Sequence, residues 1–351
     1  MNSIQRVLSN QAKMPGEAPP IWFMRQAGRY HQHYQKLRAQ YSFLELCRQP
    51  ELAAEVAMGP IEDFDFDAAI LFSDILFPLD AWGLGLHFSE AKGPQFERSL
   101  NSLEDIKNVP PVFDCLPKLE FQKKALQITR QRLHPDKGLL GFVGGPFTLF
   151  SYAVGGRHEG SFVGVKQKMA MLSPFLERLL PLIKENIRLQ IEGGADCVMV
   201  FESSVGELDF INYDKEIAPF LEELARSFPK KLGFYARGAH PQYFNRLGFM
   251  SGQNTNWAGM GVDHRYPLSQ LLKTKSPFFV QGNFDQNLLF LPTGEFRQYL
   301  KSWISEIYES CLGQAPANWI CGLGHGVLPK TPESHVREFV LAVREFFGKG
   351  A

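Results

Sequence analysis

The sequence predicts an α/β protein built as a single (β/α)8 barrel, and three observations carry that prediction. Eight short apolar runs recur along the 351 residues, each is continuous rather than alternating, and longer amphipathic stretches separate them. Parallel strands buried on both faces read as continuous apolar runs. The runs fall at 20–24, 68–72, 139–143, 197–201, 232–236, 258–262, 277–281 and 318–323. Helices are expected over 171–194, 240–250 and 331–350, the last with Pro332 in its first turn and Gly348 near its stop. Residues 1–19 form an N-terminal extension. The segment 94–138 is long for one connection and is expected to carry additional helices. A doubly wound sheet is the alternative, weakened because no G-x-G-x-x-G follows the first run. No Gly/Ser linker or charge run divides the chain, and a barrel fits this length as one domain.

Composition narrows the function. Hydrophobic residues make up 44% and charged residues 21%, enough for a large core. Lysine plus arginine equals aspartate plus glutamate, 37 each, which gives no support to nucleic-acid or membrane-surface binding. Any anion site must therefore be local. The five cysteines, Cys47, Cys115, Cys197, Cys311 and Cys321, form no CxxC pattern. That scatter is expected of a protein of the reducing cytoplasm without a disulfide framework or metal cluster. The first twenty residues hold no apolar signal-peptide core, and no run of about 18 apolar residues exists to span a membrane.

Polar residues gather just after the apolar runs. Arg25 and Arg29 follow the first, Ser73 and Asp74 the second, and Tyr152 closes GGPFTLFSY after the third. Glu202 and Ser203 follow the fourth, Arg237 the fifth, Asp263 the sixth, Asn283 and Asp285 the seventh, and His325 the eighth. In a barrel these points ring one mouth, where active sites are built. Single members have ordinary readings. Asp74 reads equally as a helix cap or a functional carboxylate. Tyr152 suits packing, and Asp263 and Asp285 suit bracing of loops. Two arginines in a glycine-containing turn after a buried strand favour anion binding. His325 between Gly324 and Gly326 is open to whatever enters. The chain holds no phosphate loop, H-E-x-x-H or nucleophile elbow. Arginines, one aspartate, one histidine and hydroxyls suit a small polyanion handled without metal or covalent intermediate.

These stretches resemble the uroporphyrinogen decarboxylase family. PIWFMRQAGRY is similar to its N-terminal signature, and AAILFSDIL, GFVGGPFTLFSY, GADCVMVFES, VQGNFD and LGHGVLPKTPESHV continue the likeness in order. The resemblance implies a (β/α)8 barrel, a homodimer and no cofactor. It implies conversion of the four acetates of uroporphyrinogen III to methyl groups, giving coproporphyrinogen III and CO2 in haem biosynthesis. It assigns Asp74 to the pyrrole N–H groups and Arg25 and Arg29 to carboxylates, with one arginine a candidate proton donor. A guanidinium pKa above about 12 makes that donor unusual. By the same resemblance Tyr152, His325 and Ser203 contact substrate, while Phe23, Met24, Phe72 and Phe147 line the pocket. The sequence departs from the family pattern at His31, Gln32 and His33, at His264 and at Gln286. Two rivals share the barrel: a zinc-dependent corrinoid methyltransferase, which needs a thiolate–histidine site that the sequence lacks, and a non-catalytic tetrapyrrole-binding paralogue.

Overall fold

The computed structural model describes residues 1–9, 11, 17–89, 93–157, 160–251, 255–273 and 276–348. Seven parallel strands form one sheet in the order β1 (Ala68–Ile70), β4 (Gly138–Gly144), β5 (Cys197–Glu202), β6 (Leu232–Ala236), β7 (Gly259–Gly261), β8 (Phe279–Phe284) and β9 (Trp319–Leu323). An antiparallel pair, β2 (Leu86–Ser89) and β3 (Gly93–Phe96), stands apart from that sheet.

The first apolar run supplies the eighth stave. Among the described residues it makes a parallel bridge from Ile21 to Cys321. Around that bridge the Trp22 N–H donates to the Cys321 carbonyl (3.0 Å) and the Cys321 N–H to the Pro20 carbonyl (2.8 Å). On the other side the Asp67 N–H donates to the Ile21 carbonyl at 2.9 Å. The Ile21 N–H donates back to the Asp67 carboxylate at 2.7 Å. The run therefore joins β9 to β1 and closes the barrel. Its side chains alternate: Trp22 and Met24 belong to the interior cluster, Ile21 and Phe23 to the layer between barrel and helices.

The N-terminal extension contributes to the barrel. Helix Ser3–Leu8 is held by a capping box between Asn2 and Gln5. It buries Ile4 and Val7 in the interior cluster with Trp22, Leu140 and Met199. Asn2 Nδ2 donates to the Lys137 carbonyl at 3.1 Å, just before β4, and Gln5 Nε2 to Asp196 Oδ1 at 2.8 Å, just before β5. The helix thus plugs the N-terminal end of the barrel, opposite the mouth.

The outer layer follows the predicted periodicities, with shifts at the ends. The long helix is Leu172–Glu192, the one expected over 240–250 is shortened to Pro241–Arg246, and the last is Glu333–Gly348, leaving Pro332 just outside. The segment 94–138 carries the expected helices, among them Leu103–Lys107 and Glu120–Arg132. Among the described residues no helix is long and apolar enough to cross a membrane.

Candidate active site

The mouth is built from the turn after the first stave. Arg25 adopts a left-handed conformation, φ 61°, which costs a residue with a Cβ on the order of 1 kcal/mol. The turn is clamped to hold it there. Gln26 is fully buried and its Nε2 donates to the Ala68 carbonyl at 2.8 Å, while Tyr30 Oη donates to the Gln26 carbonyl at 2.8 Å. The Arg25 stem then lies across Gly326. A Cβ at Gly326 would stand 2.5 Å from Arg25 Cδ, so only glycine admits this path. Gly324 is under similar constraint, since a Cβ there would stand 2.5 Å from the His264 amide. The Gly-His-Gly stretch is therefore required by close approach on both sides of His325.

Asp74 follows β1. Its Oδ1 accepts the Leu76 N–H at 2.9 Å, a local turn rather than a helix cap, and its other oxygen accepts nothing from the described residues. Burial raises its carboxyl to about 6, against the opposing pull of the Leu76 hydrogen bond and the Arg25 charge. Tyr152 lies in the last turn of helix Pro146–Gly155 and feels both Asp74 and Arg25; its phenol is raised chiefly by burial. His325 is lowered to about 4 by burial first, then by the charges of Arg25 and Arg237, so it is neutral near pH 7. Its Nδ1 lies 3.4 Å from Tyr235 Oη, which is also 3.0 Å from the Gly324 carbonyl, and the two rings stack. Arg25, Asp74, Tyr152 and His325, from four different connections, thus share one electrostatic field.

Ser203 and Arg29 sit at the edges. Ser203 is exposed at the end of β5, its N–H donating to Thr148 Oγ1 at 2.8 Å. Arg29 is exposed on the same turn as Arg25, and its charge acts on Tyr34. Neither arginine forms an ion pair among the described residues, whereas Arg265 is committed to Asp263.

The apolar candidates divide. Of Phe23, Met24, Phe72 and Phe147, Met24 alone belongs to the interior cluster. Phe23 faces outward, 4.9 Å from the rings of Phe66 and Phe339, because alternation along an extended run sends every second side chain out. Phe147 packs against Phe150 and Phe162 in the helical layer, and Phe72 against Tyr34 and Phe43. The interior rings nearest the strand ends are instead Phe142, Phe201 and Tyr235, in series at 5.6 and 6.2 Å. Counting in twos along LLGFVG, CVMVFE and LGFYA would have found them.

Glu202, placed by the sequence only after the fourth run, has a structural role. Fully buried, it accepts the Phe147 N–H (3.0 Å), the Thr148 N–H (3.2 Å) and the Thr148 hydroxyl. It therefore caps helix Pro146–Gly155 from another strand and fixes Tyr152 relative to Ser203. Of the residues that depart after Arg29, His31 and His33 pack while Gln32 is exposed. His31 is buried with Nε2 2.7 Å from Asp63, and the His33 ring fills the space over Gly59.

Among the described residues no three His, Cys, Asp or Glu side chains converge to hold a metal. None of the five cysteines forms a disulfide, and four are buried.

Comparison with known proteins places this geometry. The uroporphyrinogen decarboxylase (URO-D) family matches residues 2–346. Uroporphyrinogen decarboxylase of a Thermus thermophilus strain is 35% identical over 341 residues, covering 94% of this chain and 95% of its own. That of an Anaeromyxobacter species is 35% identical over 363 residues, covering 98% and 99%. A methyltransferase from Methanosarcina mazei shares the fold, with a TM-score of 0.75 at 17% identity over 98% of both chains. On the extent of these matches, the chain belongs to the uroporphyrinogen decarboxylase family.

Proposed function

We propose that this protein decarboxylates the four acetates of uroporphyrinogen III, giving coproporphyrinogen III and four CO2. The observation that carries the reading is Asp74: a carboxylate crowded by protein, one oxygen tied to its own turn and the other uncommitted, within the field of an unpaired arginine. Loss of CO2 from an acetate leaves an electron pair on the methylene carbon. Protonation of the adjacent pyrrole carbon first makes the ring a cation, which accepts that pair as the C–C bond breaks. A proton then returns to the methylene carbon to form the methyl group, and the ring gives up the proton it took. The ring is its own electron sink, so the chemistry calls for no cofactor.

Asp74 in its ionised form accepts from the pyrrole N–H groups and stabilises the ring cation as it forms, without reorganising. Each factor of ten in rate needs about 1.4 kcal/mol of such stabilisation. Arg25 and Arg29 bind side-chain carboxylates through paired N–H donors. His325, being neutral, offers an N–H rather than a charge, and Tyr152 and Ser203 offer hydroxyls. Phe142, Phe201 and Met24 keep the reacting face apolar. The reading also carries a cytoplasmic homodimer with facing mouths. Phe210 and Ile211, 37% and 77% exposed after β5, suit an interface there; a fully active monomer in sedimentation would argue against it.

Anaerobic incubation with uroporphyrinogen III, followed by separation of products by carboxylate number, tests the reaction. Stepwise loss from eight carboxylates to four is expected. Tight binding with unchanged substrate would instead identify a non-catalytic tetrapyrrole binder, and neither binding nor turnover would overturn the assignment.

A further inference from the structure

Arg237 directly follows β6 at the mouth of the barrel. The two-residue period along this strand fixes its direction. Phe234 and Ala236 belong to the outer layer and Tyr235 to the interior cluster, so Arg237 follows Tyr235 toward the barrel axis, above it at the mouth. Its backbone is held on both sides. The Arg237 N–H donates to the Glu202 carbonyl at 2.9 Å, and the next N–H, of Gly238, donates to Asp263 Oδ2 at 3.3 Å.

The guanidinium has no partner among the described residues, and the reason is visible. The neighbouring acid, Asp263, is nearly buried and already committed to Arg265: Nε donates to Oδ1 at 3.0 Å and Nη2 to Oδ2. Several other arginines at the surface pair with acids, as Arg132 does with Glu55, the half-buried Arg246 with Asp214 and Glu222, and Arg297 with Glu338. Position in the ring points the same way. Counting around the closed barrel from the first stave, through β1, β4 and β5 to β6, is four steps of eight. Arg25 and Arg237 therefore stand across the mouth from each other, and the charges of both reach His325.

We propose that Arg237 is a carboxylate-binding, specificity-determining residue. It grips a side chain on the rim of the macrocycle opposite the one held by Arg25, and so selects macrocyclic polycarboxylates over smaller anions. This rests on the proposed function. Since Arg237 lies across the mouth from Arg25, its contact is made equally in the ground and transition states, so its loss falls on binding more than on the chemical step.

The test compares Arg237→Gln and Arg237→Lys with the unaltered protein. Two readouts are taken: fluorescence titration with uroporphyrin, the oxidised octacarboxylate, and kcat and KM with uroporphyrinogen III. Loss of one charge-assisted contact is expected to weaken Kd and raise KM about tenfold in R237Q, with kcat moved much less. The salt dependence of Kd should fall as well, and R237K should recover most of the affinity. Unchanged Kd and KM in R237Q, or a fall in kcat at constant KM, overturns the proposal. Because the titration needs no turnover, an unaltered protein that binds uroporphyrin but leaves uroporphyrinogen III unconverted sinks the reaction while the R237Q titration still decides this residue. An unaltered protein that binds no uroporphyrin and leaves uroporphyrinogen III unconverted overturns both.

Discussion

At the residue scale, the proposed role of Asp74 carries a pH dependence. Its folded carboxyl is raised to about 6 by burial, above the ordinary carboxylate value. The ionised form is the one that stabilises a ring cation, so activity is present above that value and falls as pH drops through it. The acid limb of kcat/KM should therefore lie near pH 6 in the free enzyme. Asp74→Asn should bind the tetrapyrrole within a few fold while turnover falls at least about a hundredfold; a variant that keeps turnover would remove Asp74 from the mechanism. Gly326 permits a different kind of test. Gly326 itself is assigned no contact with substrate, and the methyl group of Gly326→Ala acts through Arg25 by occupying the path of its stem. KM should rise about tenfold, the equivalent of one charge-assisted contact, and unchanged kinetics would mean that the Arg25 path is unimportant. The sequence was informative here where a residue's type and its place after a strand both pointed to the mouth, as for Arg25, Asp74 and His325. It was uninformative about direction. Phe23 and Met24 are adjacent and both apolar, and only the alternation of the closed barrel sends one out and the other in.

At the element scale, helix Ser3–Leu8 and helix Pro146–Gly155 are each held by contacts distant in sequence. The first has only six residues, too few to persist alone in water. Its stability comes from Ile4 and Val7 in the barrel interior. Ile4→Ala should lower unfolding stability by about 3 kcal/mol, measured by urea denaturation, because it opens a cavity that the rigid strand ends cannot collapse. Turnover well below the melting temperature should survive, since the mouth is at the other end. The capping box at Asn2 was available to a local reading, but its burial was not. Strand ends behaved similarly. The run expected over 277–281 is Phe279–Phe284, extended through Gly282 and Asn283. A polar side chain continues a buried strand when its needs are met, and Asn283 Nδ2 donates to the Asp263 and Tyr266 carbonyls at 3.0 and 2.8 Å. Those partners lie elsewhere in the chain, and hydropathy does not register them.

At the scale of the whole molecule, eight runs and their spacing were enough to anticipate a barrel, while its closure was not legible. Closure depends on the Pro20–Trp22 stretch meeting both Asp67 and Cys321, which are far apart in sequence and carry no local mark of the pairing. Charge distribution leads to a further prediction. The chain has 37 basic and 37 acidic residues, so no long-range field draws an anion towards it. On the proposed function, attraction comes from Arg25, Arg29 and Arg237 at the mouth and reaches about one Debye length, roughly 10 Å at 0.1 M salt. KM for the octacarboxylate should rise between about 20 mM and about 300 mM salt, a range that straddles that screening condition, whereas kcat should hold. An unchanged KM would mean that the arginines are not what the substrate meets first. The plugged floor has its own consequence. A barrel stoppered by Ile4 and Val7 has a single doorway. Substrate, partly processed intermediates and every CO2 pass through the same opening, so each round must clear before the macrocycle can turn to present its next acetate. On the proposed function, product leaving and fresh substrate arriving share that one threshold.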